Sequence, residues 1–112
     1  MKVLLINGSP RANGNTARAL KEVADTLTAE GIETEMAWIG KKPVRGCVAC
    51  GQCRAKGNDR CVFDDDVANS IIEKLKDADG IVVGAPTYYG QPNGALLART
   101  SVDEQYFHFV PF

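Results

Sequence analysis

Lys2-Val3-Leu4-Leu5-Ile6-Asn7-Gly8-Ser9-Pro10-Arg11-Ala12-Asn13-Gly14-Asn15-Thr16 is the stretch that decides the fold. Lys2 to Ile6 is a β-branched and leucine-rich run without alternation, the pattern of a strand covered on both faces. A small polar loop follows. From Thr16 to Glu30 the apolar residues Leu20, Val23, Ala24 and Leu27 recur on one helical face, and Gly31 supplies the stop. A strand, a polar loop and a helix N-terminus in succession form an arrangement that binds phosphate. Loop N–H groups and the positive end of the helix dipole converge on the anion. Ser9, Asn15 and Thr16 add hydroxyl or amide donors, and Arg11 adds charge. The loop has Gly14-Asn15-Thr16 where a Walker A loop has Gly-Lys-Ser/Thr, and it lacks Gly-x-Gly-x-x-Gly. The alternative is a polar turn capped by Thr16.

Outward from this stretch, Ile32 to Ile39 alternates roughly, with Ile32, Met36 and Trp38 apolar, and predicts a second strand. Asp64, Asp65 and Asp66 precede Val67, Ile71, Ile72 and Leu75; acids at a helix start suit its dipole. Ile81-Val82-Val83, bracketed by Gly80 and Gly84, predicts a third strand, and a short helix is expected from Ala95 to Arg99. Strands alternating with helices predict an α/β protein with a parallel sheet. With strands in the order 2-1-3, the loops after strands one and three face one crevice, where such sheets bind ligands. The second of these loops holds Pro86, Thr87, Tyr88, Tyr89 and Gly90. Aromatic rings and exposed amides suit a flat heteroaromatic ligand; the alternative is a turn whose tyrosines pack on the sheet. Trp38 and Met36 are expected in the core or an interface, and His108, the sole histidine, is given no role.

A chain of 112 residues, 45% hydrophobic, fits one domain. Its net charge of −1 carries no signature of nucleic acid or an anionic membrane as partner. No apolar run reaches transmembrane length, and the first is too short for a signal peptide. The expectation is a cytoplasmic protein. Four cysteines, Cys47, Cys50, Cys53 and Cys61, follow C-x2-C-x2-C-x7-C. In a reducing compartment such clustering points to metal or redox chemistry. Four thiolates suit a 4Fe-4S cluster, and a zinc site more often uses two separated pairs. The surrounding segment, Gly40 to Arg60, reads as a loop carrying Lys41, Lys42, Arg45, Arg54, Lys56 and Arg60 against one acid, Asp59. Such charge would lower the cost of an anionic cluster. Zinc, a dithiol and unligated structural thiols stay open as alternatives.

Gly8-Ser9-Pro10-Arg11 with Asn13-Gly14-Asn15-Thr16, together with Gly84-Ala85-Pro86-Thr87-Tyr88-Tyr89-Gly90, resembles the NADPH-dependent FMN reductase family. The cysteine segment followed by Asp64-Asp65-Asp66 resembles its iron–sulfur flavoprotein branch. The resemblance covers residues 1 to about 99. It implies a flavodoxin-like doubly wound parallel sheet, incomplete, with about three strands in the order 2-1-3. Residues 1–99 would be the N-terminal part of an FMN-binding domain, with a cysteine-rich loop at 40–61 and an atypical tail at 100–112. By resemblance, Ser9, Arg11, Asn13, Asn15 and Thr16 contact the FMN phosphate. Pro86, Thr87, Tyr88, Tyr89 and Gly90 border the isoalloxazine ring. Cys47, Cys50, Cys53 and Cys61 hold the 4Fe-4S cluster. The implied activity is an FMN-dependent oxidoreductase, either reducing flavin with NAD(P)H or passing electrons to a redox partner, and assembled as a dimer or tetramer. Flavin N5 carries that chemistry, so no catalytic side chain is assigned. Five βα units need roughly 150 residues, so strands four and five have no room, and a C-terminally truncated domain that binds FMN weakly is expected. The alternative function is a truncated flavin-binding or interaction module without turnover.

Overall fold

The run at the start of the chain forms a strand with a neighbour on each side. A computed structural model describes residues 1–58 and 60–103, of which 99–103 as backbone. In chain order the elements are β1 (Lys2–Asn7), α1 (Asn15–Ala29), β2 (Glu33–Trp38), α2 (Gln52–Lys56), α3 (Ala68–Lys76), β3 (Gly80–Gly84), β4 (Thr87–Tyr88), β5 (Gln91–Pro92) and α4 (Gly94–Asp103). β2 and β3 flank β1 in parallel, giving the order β2-β1-β3. This is the flavodoxin-like α/β arrangement expected from the sequence. The expected tail beyond Asp103, with His108, lies outside the described residues.

Alternate residues of β1 serve two cores, which explains its unbroken apolar run. Val3 and Leu5 meet Leu20, Ala24 and Leu27 of α1, with Ile32 and Val82. Leu4 and Ile6 meet Ala37 and Ile39, with Ile71 and Leu75 of α3 and Leu96 of α4. Helices therefore cover both faces. Full burial of each such aliphatic side chain stabilises by about 1.5–3 kcal/mol.

α1 ends in a Schellman motif at Gly31, whose φ is +80°. Gly31 N–H donates to Thr28 C=O at 3.0 Å, and Ile32 N–H to Leu27 C=O at 3.0 Å. Across the sheet, Glu35 joins Lys2 at 3.1 Å and Lys74 at 3.4 Å, linking β1, β2 and α3. Hydrogen bonding from Lys2, aided by Lys74 and opposed by burial, holds the Glu35 carboxyl below its usual range. The network is solvent-screened and contributes little on its own.

The structure refines four local expectations, and of these it overturns core placement for Met36 and Trp38 and the end of α4 at Arg99. Met36 and Trp38 are each 41% exposed, and the buried positions of this region are Ala37 and Ile39. The acids stop short of α3: no acid lies in its first turn, and Asp66 Oδ1 instead accepts the Ala68 N–H at 2.8 Å from outside the helix. The turn-rich stretch after β3 closes an antiparallel hairpin, β4–β5. α4 runs on to Asp103, past the expected break at Thr100. No helix of the described residues is long and apolar enough to cross a membrane.

Candidate functional site

The register sets the site. Asn7 lies opposite Trp38 on one side and Gly84 on the other, so all three strands end at one edge of the sheet. Gly8 N–H donates to Gly84 C=O at 2.8 Å, extending the β1–β3 pairing into the loops themselves. The two segments singled out in the sequence thus leave the sheet side by side.

Four further contacts fix the first loop. Asn7, 2% exposed, accepts the Ser9 N–H on its Oδ1 at 2.9 Å. Ser9 Oγ accepts the Arg11 N–H at 3.1 Å, which leaves the hydroxyl proton to donate elsewhere. Trp38 Nε1 donates to Ser9 C=O at 2.7 Å, reaching over from β2. From the far side, Asn93 Nδ2 donates to Gly8 C=O at 2.6 Å. Gly8 is needed where it stands, because a Cβ there would sit 3.0 Å from Leu96 Cβ.

The helix that follows starts with its first N–H groups uncapped by any side chain. Gly14 precedes α1 in an extended conformation without a side-chain cap, and no acid lies in the first turn. The N-terminal N–H groups therefore face no carboxylate. Of the expected phosphate contacts, Ser9 is buried, Thr16 half-buried, and Arg11, Asn13 and Asn15 are exposed. All five belong to this one loop and helix start. Thr16 also lines a largely apolar groove of about 420 Å³ between α1 and β3, with Leu20, Val23, Val82 and Gly84.

In the second loop, Tyr89 and Gly90 have φ of +53° and +77°. Positive φ at both central residues is what a two-residue type I′ hairpin turn requires. Glycine adopts it freely; tyrosine is held there at a cost of order 1–3 kcal/mol. Tyr88 is 49% exposed and the Tyr89 ring is fully exposed. Pro86 is half-buried, and Thr87 and Gly90 are exposed.

Leaving β2 at the same edge, the chain enters the cysteine segment. Cys47, Cys50, Cys53 and Cys61 all line one small cavity of about 30 Å³, walled also by Val48, Val62 and Phe63. None of the four is in a disulfide. Left-handed backbone at Ala49 (φ +57°), Gly51 (φ +75°) and Gly57 (φ +62°) coils the segment around α2, a helix inside the expected loop. Among the described residues, no three Cys, His, Asp or Glu stand close enough together to hold a metal ion as they are.

Comparison with known proteins shows the family. A model of the NADPH-dependent FMN reductase family matches residues 1–99, which takes in both loops and all four cysteines. The chain belongs to the NADPH-dependent FMN reductase family. It is 42% identical over 96 residues to an iron-sulfur flavoprotein of Methanocaldococcus jannaschii, covering 86% of this chain and 48% of that protein. It is 41% identical over 98 residues to an iron-sulfur flavoprotein of Methanosarcina thermophila, covering 88% of this chain and 50% of that one. A third, from Archaeoglobus fulgidus, is 37% identical over 96 residues, covering 86% of this chain and 45% of that protein. The chain spans about half the length of these relatives.

Within this family member, the charge expected around the cysteines is arranged otherwise. Arg45 pairs with Asp65 at 3.0 Å, donates its backbone N–H to Asp66 at 3.1 Å, and stacks 4.3 Å from the Phe63 ring centre. Arg60 meets Glu73 at 3.2 Å. These two cations staple the segment's ends to the Asp64–Asp66 stretch and α3, whereas Arg54 and Lys56 lie exposed on α2. The Arg45 guanidinium, then the backbone N–H of Asp65 itself, holds the Asp65 carboxyl below the usual aspartate range. Lys76, then Arg60, does the same for Glu73. Asn7, Trp38, Asn69 and Asn93, none of them expected at the site, each bond a residue of these loops. Only Asn7 carried a local signal, as an asparagine two residues before a Ser in a strand-to-loop turn.

Proposed function

We propose that this chain supplies the FMN-holding edge of a flavin-dependent oxidoreductase. The observation that carries the reading is the Gly8–Gly84 hydrogen bond, which joins the two loops at one end of the sheet. Family membership and the uncapped start of α1 support it. In this reading Ser9, Arg11, Asn13, Asn15 and Thr16, with the α1 N–H groups, hold the phosphate. Trp38 and Asn93 keep the loop backbone in place. Pro86, Thr87, Tyr88, Tyr89 and Gly90 border the ring, with the exposed tyrosine faces available for stacking. When bound, the flavin supplies hydride or electron transfer. NAD(P)H or a redox partner is the proposed electron source, and the working protein is a cytoplasmic homo-oligomer.

For the cysteines we infer a 4Fe-4S cluster. Four thiols on the wall of one cavity are the right donors in kind and number, and the relatives named iron-sulfur flavoproteins support the choice. Ligation requires the segment to draw its thiols inward from the positions described. Held by these cysteines, a cluster would supply one-electron transfer.

Titration of the chain with FMN, followed by flavin fluorescence, tests the first reading. FMN is expected to bind more weakly than submicromolar yet at least about tenfold better than riboflavin, since the phosphate contacts are charge-assisted. Equal affinity for the two flavins sinks the phosphate assignment. A second reading, a flavin-holding module without turnover, is favoured by the open edge of β3, where Ile81 and Val83 are 39% and 46% exposed. NAD(P)H oxidation with and without added FMN separates the two.

A further inference from the structure

Asn69 stands in the first turn of α3 and is 3% exposed. Its side chain reaches out of the helix to a single cysteine. Oδ1 accepts the Cys61 N–H at 2.7 Å, and Nδ2 donates to the Cys61 C=O at 3.0 Å. Nδ2 also donates to Asp64 Oδ1 at 3.0 Å, with a longer approach to the Phe63 C=O at 3.5 Å. One amide thus meets both polar groups of the Cys61 backbone, as a residue pair does when it exchanges two bonds in an antiparallel sheet.

The helix that carries Asn69 is anchored by Ala68, Ile71, Ile72 and Leu75, all buried. Cys61 therefore takes its placement from the core, although it sits in an irregular segment. With its backbone held, its thiol is left to turn about χ1 alone. Cys61 is half-buried, while Cys47 and Cys50 are exposed. Side chains that orient a ligand in this way are a recognised part of metal sites.

We propose that Asn69 is the positioning residue of the cysteine cavity. It presets the Cys61 thiol on the wall, and Cys47, Cys50 and Cys53 close toward that fixed point. The proposal rests on the reading of the cysteines as ligands, and its test has one arm independent of any metal.

In the reduced, metal-free chain, each cysteine is alkylated with iodoacetamide and its rate read by mass spectrometry. Asn69→Ala is expected to raise the Cys61 rate about tenfold, in line with losing a buried hydrogen-bonded pair, and to leave Cys47 and Cys50 unchanged. Asn69→Asp keeps the acceptor for Cys61 N–H but sets a carboxylate against Asp64, and it also exposes Cys61. Adding Asp64→Asn to Asn69→Asp restores a donor–acceptor pair and returns Cys61 toward its original rate. In the second arm the chain is reconstituted anaerobically with ferrous iron and sulfide and challenged with a chelator. Asn69→Ala should hold iron about 10- to 100-fold less tightly. An unchanged Cys61 rate in both single variants overturns the proposal, as does a parallel rise at all four cysteines, which marks general loosening. If the unaltered chain takes up no iron while Cys61 still responds to Asn69→Ala, the positioning stands and the ligand reading falls.

Discussion

Residues 8–16 and residues 40–66 leave the same end of the sheet and are held by different means. The first segment is fixed by its backbone, two buried amides and an indole: Gly8 bonds Gly84, and Asn7, Asn93 and Trp38 bond the loop. It inherits its geometry from parallel strands and has little freedom. The second is held by side chains on the surface and by one buried asparagine: Arg45 to Asp65 and Asp66, Arg60 to Glu73, Asn69 to Cys61. A loop set by strand register is ready for a rigid ligand. A segment stapled by exposed ion pairs keeps the freedom to tighten around one.

The largest effect is expected at Gly84. A Cβ there would stand 3.0 Å from both Leu20 Cγ and Thr16 Cγ2, where α1 presses on β3. Gly84→Ala should destabilise the chain by about 1–3 kcal/mol by overpacking, read from the denaturant midpoint, and weaken FMN binding by displacing Thr16. The cysteine alkylation rates should change little until the whole chain unfolds. If the cysteine segment loosens first, the two regions are not built independently.

Trp38→Phe comes next. It removes the 2.7 Å bond to Ser9 C=O and should cost about 1 kcal/mol, with a matching loss of FMN affinity and no change in metal retention. Trp38 is the sole tryptophan, so quenching of its emission on adding FMN reports this loop alone. An affinity unaltered by Trp38→Phe would mean the loop needs no brace from β2.

The smallest effect is on pH. The Asp65 carboxyl lies below its unfolded value because of Arg45. Its contribution is therefore full above the ordinary aspartate range and fades as pH falls through its folded value. Acid should release the 40–66 staple while the sheet edge stays intact, seen as cleavage there by an acid protease before any within β1 or β3. Arg45→Ala should give the same early cleavage at neutral pH with a neutral protease, and added salt should mimic it in part.

β1 was readable as a strand because it is an unbroken apolar run, the pattern of a buried parallel strand, and β3 because Ile81-Val82-Val83 stands between two glycines; their order came with the family resemblance. The proposed phosphate loop stood out because Ser9, Arg11, Asn13, Asn15 and Thr16 crowd into one short stretch between a strand and a helix. What escaped was non-local or strained. Nothing near Trp38 announces a bond to Ser9, 29 positions away. Asn69 is a weak helix former whose partner lies in another segment. The β4–β5 hairpin needs Tyr89 in the left-handed region, which sequence statistics assign to glycine or asparagine. α4 passes Thr100 because helix propensity is a weak signal there.

The central position of β1 has a practical corollary. Flanked on both sides and sealed above and below, its amide protons meet solvent only when the entire domain opens. Deuterium uptake along Val3 to Ile6 is therefore a direct gauge of global unfolding, against which uptake in every other stretch of this chain can be calibrated.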